Sequence, residues 1–311
     1  MHAAVLRYFE AVAEEGSIRR ASERLNISAS AVNRQILKIE DYFGTPLFER
    51  RPDGMRLTEA GQLMLRHSRD TLHDFRRLHG EIDNLRSVVS GEVAIATLDS
   101  LTQHFLPDTL TRFIEAHPAV QIRVTAGDPN EILHSVARGN ADLGLTFDPV
   151  WRGGIHELQN IPCPLHAIMR PDHELAGRAS VTLDECSAWP LVYQDNTGSI
   201  RGFLGDSLDI FKRAHKPVLT SNTLALLKRL LLRGVGIAFY TRLGFVEELA
   251  EGRLVAVPLE GERLSQLRLC LLAPSERSPT VAARVMAEHL GRDMGGLAGV
   301  SGLDAPRQEN P

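Results

Sequence analysis

Cysteine is scarce in this 311-residue chain: Cys163, Cys186 and Cys270 are odd in number, far apart and outside any Cys-x-x-Cys pair. That excludes a disulfide framework or a zinc site as the organising element and leaves three small buried hydrophobes as the expectation. No apolar run approaches the roughly 18 to 20 residues a membrane span requires, and the opening stretch carries acids where a signal peptide has unbroken apolar residues. The chain is therefore expected to be soluble and cytoplasmic, with no membrane partner. It has no Gly-x-Ser-x-Gly elbow, no His-Glu-x-x-His pair and no Gly-x-x-x-x-Gly-Lys loop. His104, His117, His134, His156 and His173 are scattered, and Gly234-Val235-Gly236 has the wrong continuation for a dinucleotide loop. These absences argue against an enzyme and against any metal or cofactor. A large charge excess is also missing. The net charge is −4, with fourteen basic against thirteen acidic residues in residues 1 to 90 and +3 over residues 17 to 56. A protein that held polyanions by charge alone would be far more basic, so the position of the charges has to carry any such argument.

What is present, 43% hydrophobic residues over 311 positions, suits two or three compact domains and excludes a disordered chain. The first is punctuated as helices. Val5, Leu6, Phe9 and Val12 form one stripe ended by Gly16, and Ser17 caps a helix from Ile18 to Leu25. Asn26 tolerates a left-handed turn, Ile27 plugs it, and Ser28 caps a third helix from about Ala29 to Tyr42. A small residue at the crossing (Ser22), a tolerant turn residue (Asn26), an apolar plug (Ile27) and an apolar residue one turn on (Val32) make a helix-turn-helix. On the third helix Val32, Ile36 and Ile39 face inward, whereas Ser28, Ser30, Asn33, Arg34 and Lys38 form a polar row suited to base edges in a major groove, with Lys38 largely on phosphate. A short hairpin then places Arg50, Arg51 and Arg56 near the tip of a wing, in reach of phosphates. From Thr58 a helix is predicted to run to Val89. Leu72, Phe75, Leu78, Ile82, Leu85 and Val89 step along it by three and four, the narrow seam of a two-stranded coiled coil, with burial against the chain's own second domain as the alternative.

With these residues in place, the chain resembles the LysR-type transcriptional regulators. The carriers are Leu6-Arg7-Tyr8-Phe9 with Ala13-Glu14-Glu15-Gly16-Ser17, Arg24-Leu25, Ser28, Asn33-Arg34-Gln35-Ile36, and Gly44-Thr45-Pro46-Leu47-Phe48-Glu49-Arg50 leading to Arg56-Leu57-Thr58-Glu59-Ala60-Gly61. Three departures matter. Ser28-Ala29-Ser30-Ala31 replaces the family's usual Ser-Gln-Pro-Ala, Asn33 stands where Ser is common, and Ser22 where Ala is. The operator sequence therefore does not carry over. The resemblance implies a homodimer or homotetramer on double-stranded DNA, and pairing of an activator site with RNA polymerase.

Alternating strands and helices follow, including Gly91 to Thr97, Gln103 to His117, Val120 to Thr125, Glu131 to Arg138 and Ala141 to Thr146, which indicates a mostly parallel sheet. A second series contains strands near Leu165 to Arg170 and at Leu191 to Tyr193, helices at about Ile200 to His215 and Leu224 to Leu232, a last strand Leu267 to Leu272 and a helix Thr280 to Leu290. This resembles the two-lobed solute receptors that the family uses as its sensor. The full expectation is an α+β and α/β chain. A winged helix-turn-helix occupies residues 1–58 and a dimerising helix 59–89. An effector domain occupies 90–291, with lobe I at about 91–163 and 267–291 and lobe II at about 164–266, and a disordered tail covers 292–311. By resemblance Ser100, Thr102, Thr197, Ser199, Phe203 and Asn222 lie near an effector. Helix N-termini at Ser100 and Asn222, with Arg201, favour a carboxylate, while Asp128 either meets an amine or hydroxyl of the ligand or merely caps the helix after it. A small carboxylate or zwitterion is the expected effector. The alternatives are a DNA-binding repressor that needs no effector, and a solute receptor.

Overall fold

The computed structural model describes residues 2–52, 54–85, 88–149, 153–194 and 217–297. The chain divides after residue 87 into two units.

In the first unit α1 (His2–Glu15) ends at Gly16, whose φ is +59°. The Ser17 side chain accepts from the Arg20 N–H to start α2 (Ile18–Leu25), Asn26 takes the left-handed conformation at φ 54°, and Ser28 caps α3 (Ala29–Phe43). Phe9, Val12, Ala21, Val32, Ile36, Ile39, Leu47 and Phe48 fill the core, with the Phe9 and Phe48 rings 5.0 Å apart. The wing is β1 (Phe48–Arg51) antiparallel to β2 (Gly54–Leu57). Glu40 on α3 accepts from the N–H groups of Leu47 and Phe48 at 2.8 and 3.1 Å, so the wing hangs from the third helix. Thr58 caps α4 (Glu59–Asn84). A Cβ on Gly61 would stand 2.0 Å from the Leu47 carbonyl oxygen, so only glycine lets α4 cross this close to the wing.

In the second unit the five-stranded sheet of lobe I has the order β4 (Val120–Ala126), β3 (Gly91–Thr97), β5 (Leu143–Phe147), β12 (Arg268–Pro274), β6 (Ile155–Pro162). β3 runs parallel to β4 and β5, and β12 antiparallel to β5 and β6. Phe113 of α5 (Phe105–Ala116), Ile132 and Val136 of α6 (Pro129–Ala137) and Met286 and Leu290 of α11 (Val281–Gly296) belong to its core. Lobe II pairs β7 (His166–Met169) antiparallel to both β10 (Ala238–Tyr240) and β11 (Val255–Pro258), with β8 (Val192–Gln194) parallel to β9 (Leu219–Ser221). Around this lie a short α7 (Leu183–Cys186), α8 (Leu224–Leu232), a 3-10 turn η2 (Arg242–Phe245) and α9 (Val246–Ala250). The two crossings between lobes lie side by side: the Cys163 N–H donates to the Leu267 carbonyl at 2.6 Å, and the Leu165 N–H to that of Leu264, on the short α10 (Glu262–Ser265), at 3.0 Å.

The structure corrects several sequence expectations. The sheet of lobe I is parallel only in half, because β12 returns from lobe II and enters antiparallel between β5 and β6. The helix expected from Gln103 is preceded by a separate 3-10 turn, η1 (Asp99–Thr102). The long helix ends at Asn84 rather than Val89, and half-buried Val89 packs instead against the core of the second unit. Residues 292 to 296, expected to begin a disordered tail, continue α11: Met294 is buried and Asp293 pairs with Arg112 at 2.7 Å. The helix expected at Ile200 to His215 lies outside the described residues.

Candidate nucleic-acid interface and effector cleft

The polar row on α3 is largely open to solvent. Ser28, Ser30, Arg34 and Lys38 are exposed and Asn33 is half-buried. The Ser28 hydroxyl accepts from the Ala31 N–H at 3.3 Å and lies 3.2 Å from the Ser30 hydroxyl. Ser28 therefore sets the helix start, and Ser30 with Arg34 extends beyond it. Arg50, expected to meet phosphate, also has a partner within the chain: its guanidinium donates to Asn33 Oδ1 at 3.1 Å. The wing and the third helix are thereby joined through the two side chains expected to meet backbone and base. Arg51 is ion-paired with Glu49 at 2.7 Å, both about half exposed, an arrangement weak enough in water to yield to a phosphate. Arg56 sits opposite Glu49 in the ladder. Arg19 and Arg24, which contribute to the local +3, are paired with Glu23 and with Glu14 and Glu15. Their charge is largely spent inside the unit, which leaves the exposed Arg34 and Lys38 of α3 as the cations best placed to meet an incoming anion.

Along α4, Leu72 is buried, but Phe75, Leu78, Ile82 and Leu85 are 45%, 51%, 45% and 86% exposed. One narrow apolar face of a 26-residue helix, about 39 Å long, is therefore left open.

In the second unit Ser100 is buried and Thr102 half-buried, both on η1 at the carboxyl end of β3. The Thr102 hydroxyl donates to the Asp99 carbonyl at 2.7 Å. Asp128 caps α6: its Oδ1 accepts from the Glu131 N–H at 2.9 Å, while Glu131 accepts from the Asp128 N–H at 2.9 Å. Asn222 is exposed and accepts from the Thr223 hydroxyl at 3.2 Å. The anion expected at the start of α8 is already supplied by the chain. Asp99 Oδ2 accepts from the Leu224 N–H at 2.8 Å, an interaction the sequence does not signal because the partners lie 125 residues apart. His104 and Glu247 make a second contact between the lobes at 3.6 Å. Thr197, Ser199, Arg201 and Phe203 lie outside the described residues. Among the described residues no cluster of His, Cys, Asp or Glu could hold a metal, and no helix is long and apolar enough to cross a membrane.

Residues 4–62 match the model of the bacterial regulatory helix-turn-helix protein, lysR family, and residues 86–295 that of the LysR substrate binding domain. The chain is 30% identical over 290 residues to the uncharacterized HTH-type transcriptional regulator YnfL of Escherichia coli, covering 92% of this chain and 96% of that one. It is 28% identical over 260 residues to the RuBisCO operon transcriptional regulator of Allochromatium vinosum, covering 82% and 84%. Among solved structures, a full-length variant of OxyR from Pseudomonas aeruginosa superposes with a TM-score of 0.68 at 16% identity, covering 94% of each chain. Full-length CbnR complexed with its target DNA superposes at 0.59 and 21% identity, covering 94% of this chain and 100% of that one.

Proposed function

Because this chain belongs to the LysR family of bacterial transcriptional regulators, we propose that it reads duplex DNA as a symmetric dimer or tetramer and adjusts that reading to a small molecule held between the two lobes. It is a DNA-binding regulator with a substrate-binding effector domain, and its relatives are named as transcriptional regulators. The observation that carries the DNA reading is the exposed row Ser30, Arg34 and Lys38 beside a wing whose Arg50 is bonded to Asn33. Ser28, Ser30, Asn33 and Arg34 address base edges, and Lys38, Arg50, Arg51 and Arg56 address phosphates. The domains are the winged helix-turn-helix at 1–58, the dimerising helix from 59, and the effector domain from 90. The protein works in the cytoplasm, catalyses no reaction and needs no cofactor. A footprint on the DNA adjoining its own gene tests the reading: a protected pair of half-sites supports it, and protection indifferent to sequence overturns it.

For the effector, Ser100 and Thr102 at the end of β3 provide hydroxyls, and the neighbouring acids favour a ligand that brings an amine or hydroxyl. Thr197, Ser199, Arg201, Phe203 and Asn222 complete the proposed contacts. Thermal unfolding of the full chain in the presence of single amino acids, hydroxy acids and sugars tests this, since a ligand that binds only the folded state raises the midpoint. Asp128→Ala separates capping from ligand contact. Loss of the cap is expected to lower stability by about 0.5 to 2 kcal/mol while leaving the midpoint rise caused by an active ligand unchanged.

The three thiols contribute to stability and not to sensing. Cys163, Cys186 and Cys270 are buried, and burial pushes each thiol up to about 12, with the Thr241 hydrogen bond pulling Cys163 slightly back. A thiol reagent is expected to find no cysteine in the native protein and all three after denaturation. In the window between the ordinary thiol value of 9.0 and about 12, the unfolded chain releases protons that the folded chain retains. Folding stability should therefore fall as pH rises through that window, by up to about 1.4 kcal/mol per pH unit for each thiol. Denaturant titrations at pH 8 and pH 10 measure it, and equal stability at both would refute it.

A further inference from the structure

Helix α8 begins without a side-chain cap of its own. Thr223 holds the N-cap position but makes no capping bond, and its hydroxyl turns instead to Asn222 Oδ1. The first N–H of the helix, on Leu224, donates to a carboxylate from the other lobe, Asp99 Oδ2 at 2.8 Å. The N–H groups of a first helical turn and the helix dipole make such an end attractive to negative charge, and a carboxylate is already bound there, tethered to the chain. Its position is tightly framed. A Cβ on Gly244 of η2 would stand 2.9 Å from Leu224 Cδ2 and 3.5 Å from Ser100 Cβ, so η1, η2 and the start of α8 converge to side-chain contact. The Asp99 backbone is fixed by the Thr102 hydroxyl on its carbonyl. Close by lies Tyr240, buried, whose phenol is pushed well above its ordinary value by burial, then by Asp99 and Tyr193, so it stays neutral and adds no competing charge.

We propose that Asp99 is a built-in anion that straps lobe I to helix α8 of lobe II, standing where a free carboxylate would otherwise bind, and so sets the charge of the effector the cleft accepts. With position 99 acidic, this end of α8 rejects an anionic group, because seating one requires displacing a tethered carboxylate and exposing it to like charge. The cleft then reads the donor side of its ligand. This selectivity rests on the effector-receptor reading above, but the place of Asp99 can be tested without any effector.

The test uses acetate as a free carboxylate and the full-length protein. Asp99→Ala is expected to lower the unfolding midpoint by roughly 2 to 6 °C, and acetate should restore most of that loss, whereas chloride at matched ionic strength should not. The wild type should show no difference between the two salts. Acetate that stabilises both proteins equally, or neither, overturns the proposal. Should Asp99→Ala fail to fold, the double variant Asp99→Ala with Thr223→Asp supplies the cap locally. It should recover folding and be insensitive to acetate, and a double variant that stays unfolded or remains acetate-dependent overturns the proposal as well. A negative ligand screen on the wild type would count against the receptor reading and leave this result untouched.

Discussion

Leu78→Lys combined with Ile82→Lys is expected to turn the protein into a monomer and to remove high-affinity DNA binding while leaving each chain folded. Both side chains are about half exposed in the single chain, so their replacement removes little from its own packing. Each contributes twice to a symmetric seam, however. Covering the exposed half of four large aliphatic side chains is worth about 1 kcal/mol apiece, so the pair variant loses roughly 4 kcal/mol of association, close to three decades in the dimer constant. The lysines would also face one another across an apolar seam, which adds desolvation and like-charge repulsion. DNA binding falls with it, because two recognition helices held together gain from each other's binding. Light scattering at low micromolar concentration together with a thermal scan measures both halves. A variant that remains dimeric and binds its operator normally would remove α4 from the dimer.

The second large effect belongs to the junction of α3 and the wing. If Arg34 meets the base edge proposed for it, Arg34→Ala should reduce operator affinity by about 1 to 3 kcal/mol, and twice that in a symmetric dimer, with binding to random DNA much less affected. Arg51→Ala should weaken both classes of site alike and reduce the steepness of the salt dependence by about 0.9 for each phosphate it neutralises. Arg50→Ala is expected to do both. Its guanidinium holds Asn33 Oδ1, so removing it frees the amide to turn and to accept from a base, which relaxes preference at the base Asn33 addresses. Titrations at several salt concentrations, on the operator and on variants at each base pair, distinguish the three. An Arg50→Ala protein with unaltered base preference would show that the bond to Asn33 plays no part in reading.

The first unit is legible in the sequence because its determinants are local. Ser17, Asn26 and Ser28 act on N–H groups three residues away or on their own backbone, and the inward residues Val32, Ile36 and Ile39 repeat with the helix period. The Glu40 grip on the wing is not legible, since a lone acid on a helix looks like a solvated one. In the second unit β6 and β11 are hidden by imperfect alternation, and β12 has no assignable neighbour until both partners are known. Lys228 stands in a leucine-rich helix where the pattern suggests a solvent-facing charge. It is buried, paired with Glu248 at 3.0 Å and lies over the Phe245 ring. The end of α11 is obscured because glycine weakens a helix intrinsically, yet burial of Leu290 and Met294 holds this one. Capping by Asp128 is foreseeable from the acid three residues on, whereas the Asp99 contact needs the tertiary structure.

The place of β12 between β5 and β6 in lobe I also governs the order in which the chain can mature. Arg268 meets Asp148 across 120 residues, and β12 alone joins β5 to β6. At about 5 to 20 residues per second of synthesis, roughly 6 to 24 s pass between the two ends of that contact leaving the ribosome. During this interval the facing edges of β5 and β6 lie unpaired, the condition that favours association between chains. The DNA-reading unit and α4 have by then been made and can find another nascent copy, so subunit pairing on the polysome can precede completion of the sensor. A chain that stops ahead of residue 268 is therefore expected to leave those two edges open and to be less soluble than the full-length protein, which sedimentation of the truncated protein after expression would show.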